Sequence, residues 1–336
     1  MTLLDTIPRR GVSSLLFRAY DADRLLPRFA RRGHRRFACA WVRGVGDVAF
    51  IVSEFTRYVQ RTIPGAELTA LVRPGLAEAC RWIPELHDVI TIEAWSRERT
   101  QRSLFDLAFP PPWEIRRALR RHGREQEIDA ILPYPLGRWY ERGLESRRPW
   151  LAWSEDERRF GESFLRRAVP QDDAFVIAMN THTGTAHYYH HDKEWGARNF
   201  SRLITAIVET IPESVIVLVD GAVAAPLPAH PRVVDARGRL SIGECVSVIA
   251  ASAVFVGLDT GPANLAYFMR GVTARLIVLV GRRAIFTPLA HPPASPAVTL
   301  TALCGDRDDI HAITPETVLE AVRAVHRQWR LPAASR

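Results

Sequence analysis

Along the 336-residue chain, short apolar runs alternate with amphipathic stretches of helical period, the pattern of parallel strands covered by helices. In the first part, it predicts strands over 37–42, 67–72, 88–92 and 128–132, with helices over 48–59, 76–82 and 113–121 between them. The alternation restarts after 169–173, a polar stretch that reads as a linker. Strands follow over 174–179, 215–219, 232–235, 253–258 and 275–280, with a helix over 200–211. Ser154 with Glu157 and Ser241 with Glu244 have the spacing of capping boxes, and Thr314-Pro315 opens a last helix to about residue 328. The pattern predicts an α/β chain of two successive halves hinged near residue 170, with a cleft between facing carboxyl edges.

The chemistry concentrates where strands turn into helices. After the strand ending at Leu258 come Asp259, Thr260, Gly261 and Pro262. Thr260 is placed to cap the helix, Gly261 admits a ligand close to the backbone, and Pro262 suits a first helical turn. Free amides and the helix dipole there suit a phosphate, although the same residues also make an ordinary strand-to-helix connection. In the first half, Gly44 and Gly46 are expected to make a tight turn and to leave Asp47 at a helix start. An acid in that position either caps the helix or presents a carboxylate at the sheet edge, where small-molecule sites form. A third polar loop, Asn180 to Thr185 with Thr181 and Thr183, follows a strand and can cradle phosphate oxygens. Lys193 adds a point charge to it, or is simply a surface lysine.

Composition narrows the partners. Apolar residues make up 47% and charged residues 24%, ordinary for a globular protein, and the length allows two domains. The net charge of +8 is carried mostly by arginine and points to an anionic partner. The basic residues are scattered and no nucleic-acid signature appears, so nucleic acid is not expected. The four cysteines lie far apart with no zinc or dithiol spacing, and no run is long enough to span a bilayer; a cytoplasmic protein is expected. Residues 1–36 are basic and amphipathic, and either pack on the neighbouring domain or touch an anionic membrane surface.

Taken together, Gly44-x-Gly46-Asp47, Lys193-x-Trp195 and Asp259-Thr260-Gly261-Pro262-x-x-Leu265-Ala266 resemble glycosyltransferase family 9, the family of the ADP-heptose:lipopolysaccharide heptosyltransferases. The resemblance runs from about Phe37 to Val325. It implies the GT-B architecture of two Rossmann-like domains: an N-terminal acceptor domain over 37–168 and a nucleotide-sugar domain over 174–313. Residues 1–36 form an extension, and the helix of 314–336 is a candidate to cross back to the first domain. The resemblance also implies inverting transfer without a metal or cofactor, from a nucleotide-sugar donor to a saccharide, glycolipid or small-molecule acceptor. Asp47 would be the general base, with Gly44 and Gly46 on the acceptor side. Lys193 would bind the diphosphate, and Asp259, Thr260 and Gly261 the donor sugar and phosphate.

The chain departs from the family in four ways. Asn264 stands where the family commonly has a histidine, and keeps hydrogen bonding on the donor side without an ionisable group. The loop from Asp220 to Ala225 lacks, beyond Asp220, the acid often found further along it to bind the ribose. The N-terminal extension is unusual. The loop over 181–192 is long and carries His182, His187, His190 and His191, read as a polar loop near the substrate in preference to a metal site. Asp306-Arg307-Asp308 has a metal-binding form in another glycosyltransferase fold and is read as a solvated loop. Two function classes remain, a glycosyltransferase and a catalytically silent GT-B protein that binds a nucleotide or partner, with a nucleotide-sugar epimerase as a lesser third.

Overall fold

The computed structural model describes residues 21–96, 110–132, 149–169, 171, 173–183, 193–281 and 287–331. Most of the N-terminal extension lies outside them, as do Pro170 and Asp172 of the expected hinge. So do Gly184, Thr185, His187, His190 and His191 of the histidine-rich loop. The chain divides into two compact units, Met1–Ala152 with Ala290–Pro292, and Trp153–Leu289 with Pro293–Arg336.

The first unit is built on a four-stranded parallel sheet of β1 (Arg36–Trp41), β2 (Glu67–Val72), β3 (Asp88–Thr91) and β4 (Ala130–Leu132), in the order β3-β2-β1-β4. One face packs Ala38, Ala40, Leu71 and Ile90 against Trp95 and against Ile115 and Leu119 of a helix over Pro112–Arg121. The described part of the extension forms α1 (Ala22–Arg31), capped by Asp21; Ala22 and Leu26 are buried, and Phe29 lies 5.9 Å from Phe37 of β1. This end of the extension therefore packs on the first unit, one of its two expected fates. The segment after β1 begins with a π-helical turn, Val48–Val52, and continues as α2 (Ser53–Thr62). All five residues of the turn are buried, as the apolar pattern requires. α3 (Ala77–Arg81) precedes β3, and the Pro112–Arg121 helix is α4.

The second unit carries α5 (Glu155–Ala168) and a six-stranded parallel sheet. Its strands are β5 (Phe175–Asn180), β6 (Ser214–Leu218), β7 (Val233–Asp235), β8 (Val254–Leu258), β9 (Ala274–Val280) and β10 (Val298–Cys304), in the order β10-β9-β8-β5-β6-β7. The helices are α6 (Ala197–Thr210), α7 (Ile242–Ala251), α8 (Gly261–Phe268) and α9 (Pro315–Trp329). Both capping boxes form, on α5 and on α7.

Two expectations change. The domain boundary at 168 placed α5 with the first half, yet α5 packs on α7 of the second. Gly161 permits this, since a Cβ there would stand 2.1 Å from the Ser247 carbonyl, and its amide donates to Ser247 Oγ at 2.7 Å. The other change is β10, an unforeseen edge strand that follows a proline-rich stretch and has only one fully buried position. The last helix packs on α6, β8 and β9, with Phe175 of β5 against His326 and Trp329 at 4.9 and 5.3 Å. Among the described residues no helix is long and apolar enough to cross a membrane. Cys39, Cys80 and Cys245 are buried thiols, and burial pushes the Cys39 thiol up to about 12, which keeps it protonated and inert.

Candidate functional site

At the carboxyl edge of the first sheet, the loop after β1 is fixed by donors to its carbonyls. The Trp41 indole donates to Gly44 O at 3.2 Å, and the Arg73 guanidinium, arriving from the end of β2, donates to Val42 O and Arg43 O at 3.2 and 3.1 Å. Neither Gly44 nor Gly46 has a positive φ, so this turn does not use the left-handed freedom that glycine offers. Asp47 follows, half-buried at the head of the π-helical turn. Its side chain makes no capping hydrogen bond. With φ −67° and ψ −18° its backbone is already helical, whereas a capping acid is held in the extended region. The capping alternative is thus not realised. The π turn places an extra residue between β1 and α2, and such turns recur at functional sites.

The second sheet's edge is more heavily tied. The Lys193 ammonium meets Asp259 Oδ2 at 2.7 Å, with the two side chains only 11% and 10% exposed. Asn264 Nδ2 donates to the other carboxylate oxygen at 3.3 Å, so an amide and an ammonium bracket Asp259. Trp195 sets the lysine's position: the indole is buried, donates to Ile313 O at 2.7 Å and stands edge-on to Phe200 at 4.9 Å. Gly196, at φ +89°, then turns the chain into α6, a conformation costly for other residues.

Thr260 stands at the N-cap position of α8, but its hydroxyl does not cap, contrary to expectation. Thr260 Oγ1 is instead buried without a hydrogen-bond partner, as are Asn264 Oδ1 and Asn180 Oδ1. A buried polar atom without a partner costs about 1–3 kcal/mol, and three such oxygens gather around the ends of β5 and β8. Gly257 lets the two strands meet there; a Cβ at that position would stand 3.0 Å from both Cβ and O of Asn180. Gly261 is the first residue of α8, where the helix dipole favours an anion.

The loop after β5 differs from expectation. The amides of Thr181, His182 and Thr183 do not turn outward as a phosphate cradle. Asp220, at the end of β6, accepts from Thr181 N at 2.7 Å, His182 N at 3.0 Å and Asn180 Nδ2 at 2.6 Å on one oxygen, and from the Thr181 hydroxyl at 2.8 Å on the other. Glu194 accepts from Thr183 N at 2.7 Å and pairs with His182 Nδ1 at 3.0 Å. Burial raises the Asp220 pKa, while the Thr181 and His182 donors and Arg237 pull it back. An acid at the end of the second strand of a Rossmann-like unit often binds ribose; here it holds the neighbouring loop. Asp220 and Glu194 are functional candidates that the motifs did not single out. The only signal was a strand ending in an acid at Asp220, and an acid inside Lys193-x-Trp195.

Asp306 to Asp308 form a short turn with Arg307 and Asp308 at φ 55° and 61°. Among the described residues no group of three His, Cys, Asp or Glu side chains is placed to hold a metal ion.

No family model and no curated protein matches the chain by sequence. Solved structures do match its fold. A glycosyl transferase family 9 protein from Veillonella parvula DSM 2008 superposes with a TM-score of 0.59 at 12% identity, over 88% of this chain and 97% of that one. The E. coli ADP-heptose lps heptosyltransferase II does so with a TM-score of 0.57 at 15% identity, over 88% and 100%. The chain therefore has the α/β, GT-B fold of these glycosyltransferases, with two units of Rossmann-like topology.

Proposed function

We propose that the protein is an inverting, metal-independent glycosyltransferase that moves a heptose or related sugar from an ADP-heptose-like donor to a hydroxyl of a saccharide, lipopolysaccharide core or natural-product acceptor. The observation that carries this reading is the Lys193–Asp259 pair beside the N-terminus of α8, with the unpartnered Thr260 hydroxyl next to it. As the glycosidic bond breaks, negative charge develops on the leaving diphosphate, and a fixed ammonium with helix-terminal amides stabilises that charge in the transition state. Asp259, oriented by Lys193 and Asn264, accepts hydrogen bonds from sugar hydroxyls. Asp47 takes the proton of the acceptor hydroxyl as it attacks, since a neutral hydroxyl is a poor nucleophile.

The test is incubation of the protein with ADP-heptose, with and without candidate acceptors, and measurement of ADP release. Acceptor-dependent ADP release that Lys193→Ala lowers by roughly tenfold or more supports the reading. A catalytically silent nucleotide-binding protein is the second reading, favoured by Asp220, whose carboxylate is spent on the neighbouring loop after β5. Donor binding by calorimetry with no release under any acceptor would select it.

A further inference from the structure

We propose that α4 is a docking face for an anionic phospholipid bilayer. The inward side of this helix is fully used: Ile115, Ala118 and Leu119 are buried in the core beneath the first sheet. Its outward side carries Trp113, 63% exposed, a large aromatic ring that adds nothing to that core. At 100° per residue, Trp113, Arg116, Arg117 and Arg120 fall on one stripe opposite the buried residues, with Arg121 at its margin. All five are exposed. Glu125 pairs with Arg120 at 2.7 Å and offsets its charge, and Glu114 is turned to the Trp95 indole at 3.1 Å, so the basic character of the face rests on Arg116, Arg117 and Arg121.

An indole at one end of a short arginine stripe matches the chemistry of a lipid–water interface. Tryptophan settles at headgroup depth, where its ring is in the apolar boundary and its N–H stays wet. Guanidinium groups pair bidentately with lipid phosphates, and each basic side chain near an anionic leaflet strengthens association about fivefold. The ten-residue helix is about 15 Å long, enough to lie along such a surface and too short to cross it. The other candidate for such contact, the basic N-terminal extension, turns Ala22 and Leu26 of its described helix inward to the protein.

The experiment is co-sedimentation of the full-length protein with vesicles of phosphatidylcholine alone and of phosphatidylcholine with phosphatidylglycerol, at two salt concentrations. Binding is expected to the anionic vesicles only. Replacing Arg116, Arg117 and Arg121 together by Gln should weaken it by roughly a hundredfold. Removing the same charge elsewhere, by replacing Arg159, Arg166 and Arg167 of α5 by Gln, should weaken it far less. Trp113→Ala should leave a residual association that moderate salt abolishes. Circular dichroism checks that each variant is folded. Equal losses for the two triple variants would overturn the proposal, because net charge alone would then explain binding. So would an absence of vesicle binding, or an α4-dependent affinity for RNA in its place.

Discussion

The two carboxyl edges share a plan, a parallel strand running through a short loop into a helix, and reverse its electrostatics. In the first unit, one cation and an indole hold the loop by its carbonyls: Arg73 and Trp41 bind the oxygens of Val42, Arg43 and Gly44, and the loop ends in Asp47. In the second, acids hold the loop by its amides: Asp220 and Glu194 take the N–H groups of Thr181, His182 and Thr183, and the loop leads to Lys193. The first loop runs on to Asp47, the proposed base, and the second to Lys193, the proposed phosphate ligand, which meets Asp259 at 2.7 Å beside the N-terminus of α8.

The sharpest way to break this contrast is at Asp47. Asp47→Asn keeps the size of the side chain and removes its basicity. Sugar transfer should fall by roughly a hundredfold or more, with donor affinity and melting temperature nearly unchanged. Persisting transfer would leave the first edge without its chemical role.

On the second edge, Lys193→Ala should lower turnover by roughly ten- to a thousandfold, measured at saturating acceptor, through loss of charge stabilisation on the leaving group. Unchanged kinetics would remove the lysine from the site and make its contact with Asp259 purely structural.

The straps themselves are testable as a pair. Asp220→Asn turns one acceptor oxygen into a donor against the amides of the β5 loop, and should cost about 1–3 kcal/mol in urea denaturation while weakening donor binding. Arg73→Met releases two carbonyls on the first edge and should cost about 1 kcal/mol, with donor binding intact. If both variants weaken donor binding equally, the two loops do not act separately.

The smallest effect concerns the opposite, amino edge of the first sheet, where an acid also takes amides. Asp129 accepts from Arg35 N and Arg36 N at 2.9 Å and from the Arg36 guanidinium at 2.8 Å, and the Arg36 contact holds its carboxyl well below the usual carboxylate range. A depressed acid contributes stability that is complete above its unfolded pKa and is lost as pH falls through the folded one. Denaturation midpoints should therefore drop in the acid range below about pH 4, and Asp129→Asn should flatten that part of the profile. An unchanged slope would show that other carboxylates carry it.

Much of this was legible in the chain. Strand β2 begins and ends where the alternation placed it, and both capping boxes formed, because such signals are local and depend on residues a few positions apart. The spacing also singled out Lys193, Asp259 and Asn264, which the fold does bring into one cluster. What stayed hidden depends on residues far apart in sequence. Asp220 meets Thr181 only because β6 lies beside β5 in the sheet. Arg73 reaches the loop after β1 for the same reason, through β2. Strand β10 gave no clear pattern because an edge strand with one buried position needs little apolar periodicity.

By itself the sequence determined the α/β alternation, the helix starts and the residue types at each strand end, since these follow from backbone propensity and side-chain period. Only the tertiary structure decided which polar groups are consumed and which remain. Asp47 and Thr260 were equally good caps on paper, yet Asp47 enters its turn already helical and Thr260 points its hydroxyl inward without a partner. A hydrogen bond needs its partner within about 3 Å, and which groups come that close is set by strand order and helix packing, which no local pattern contains.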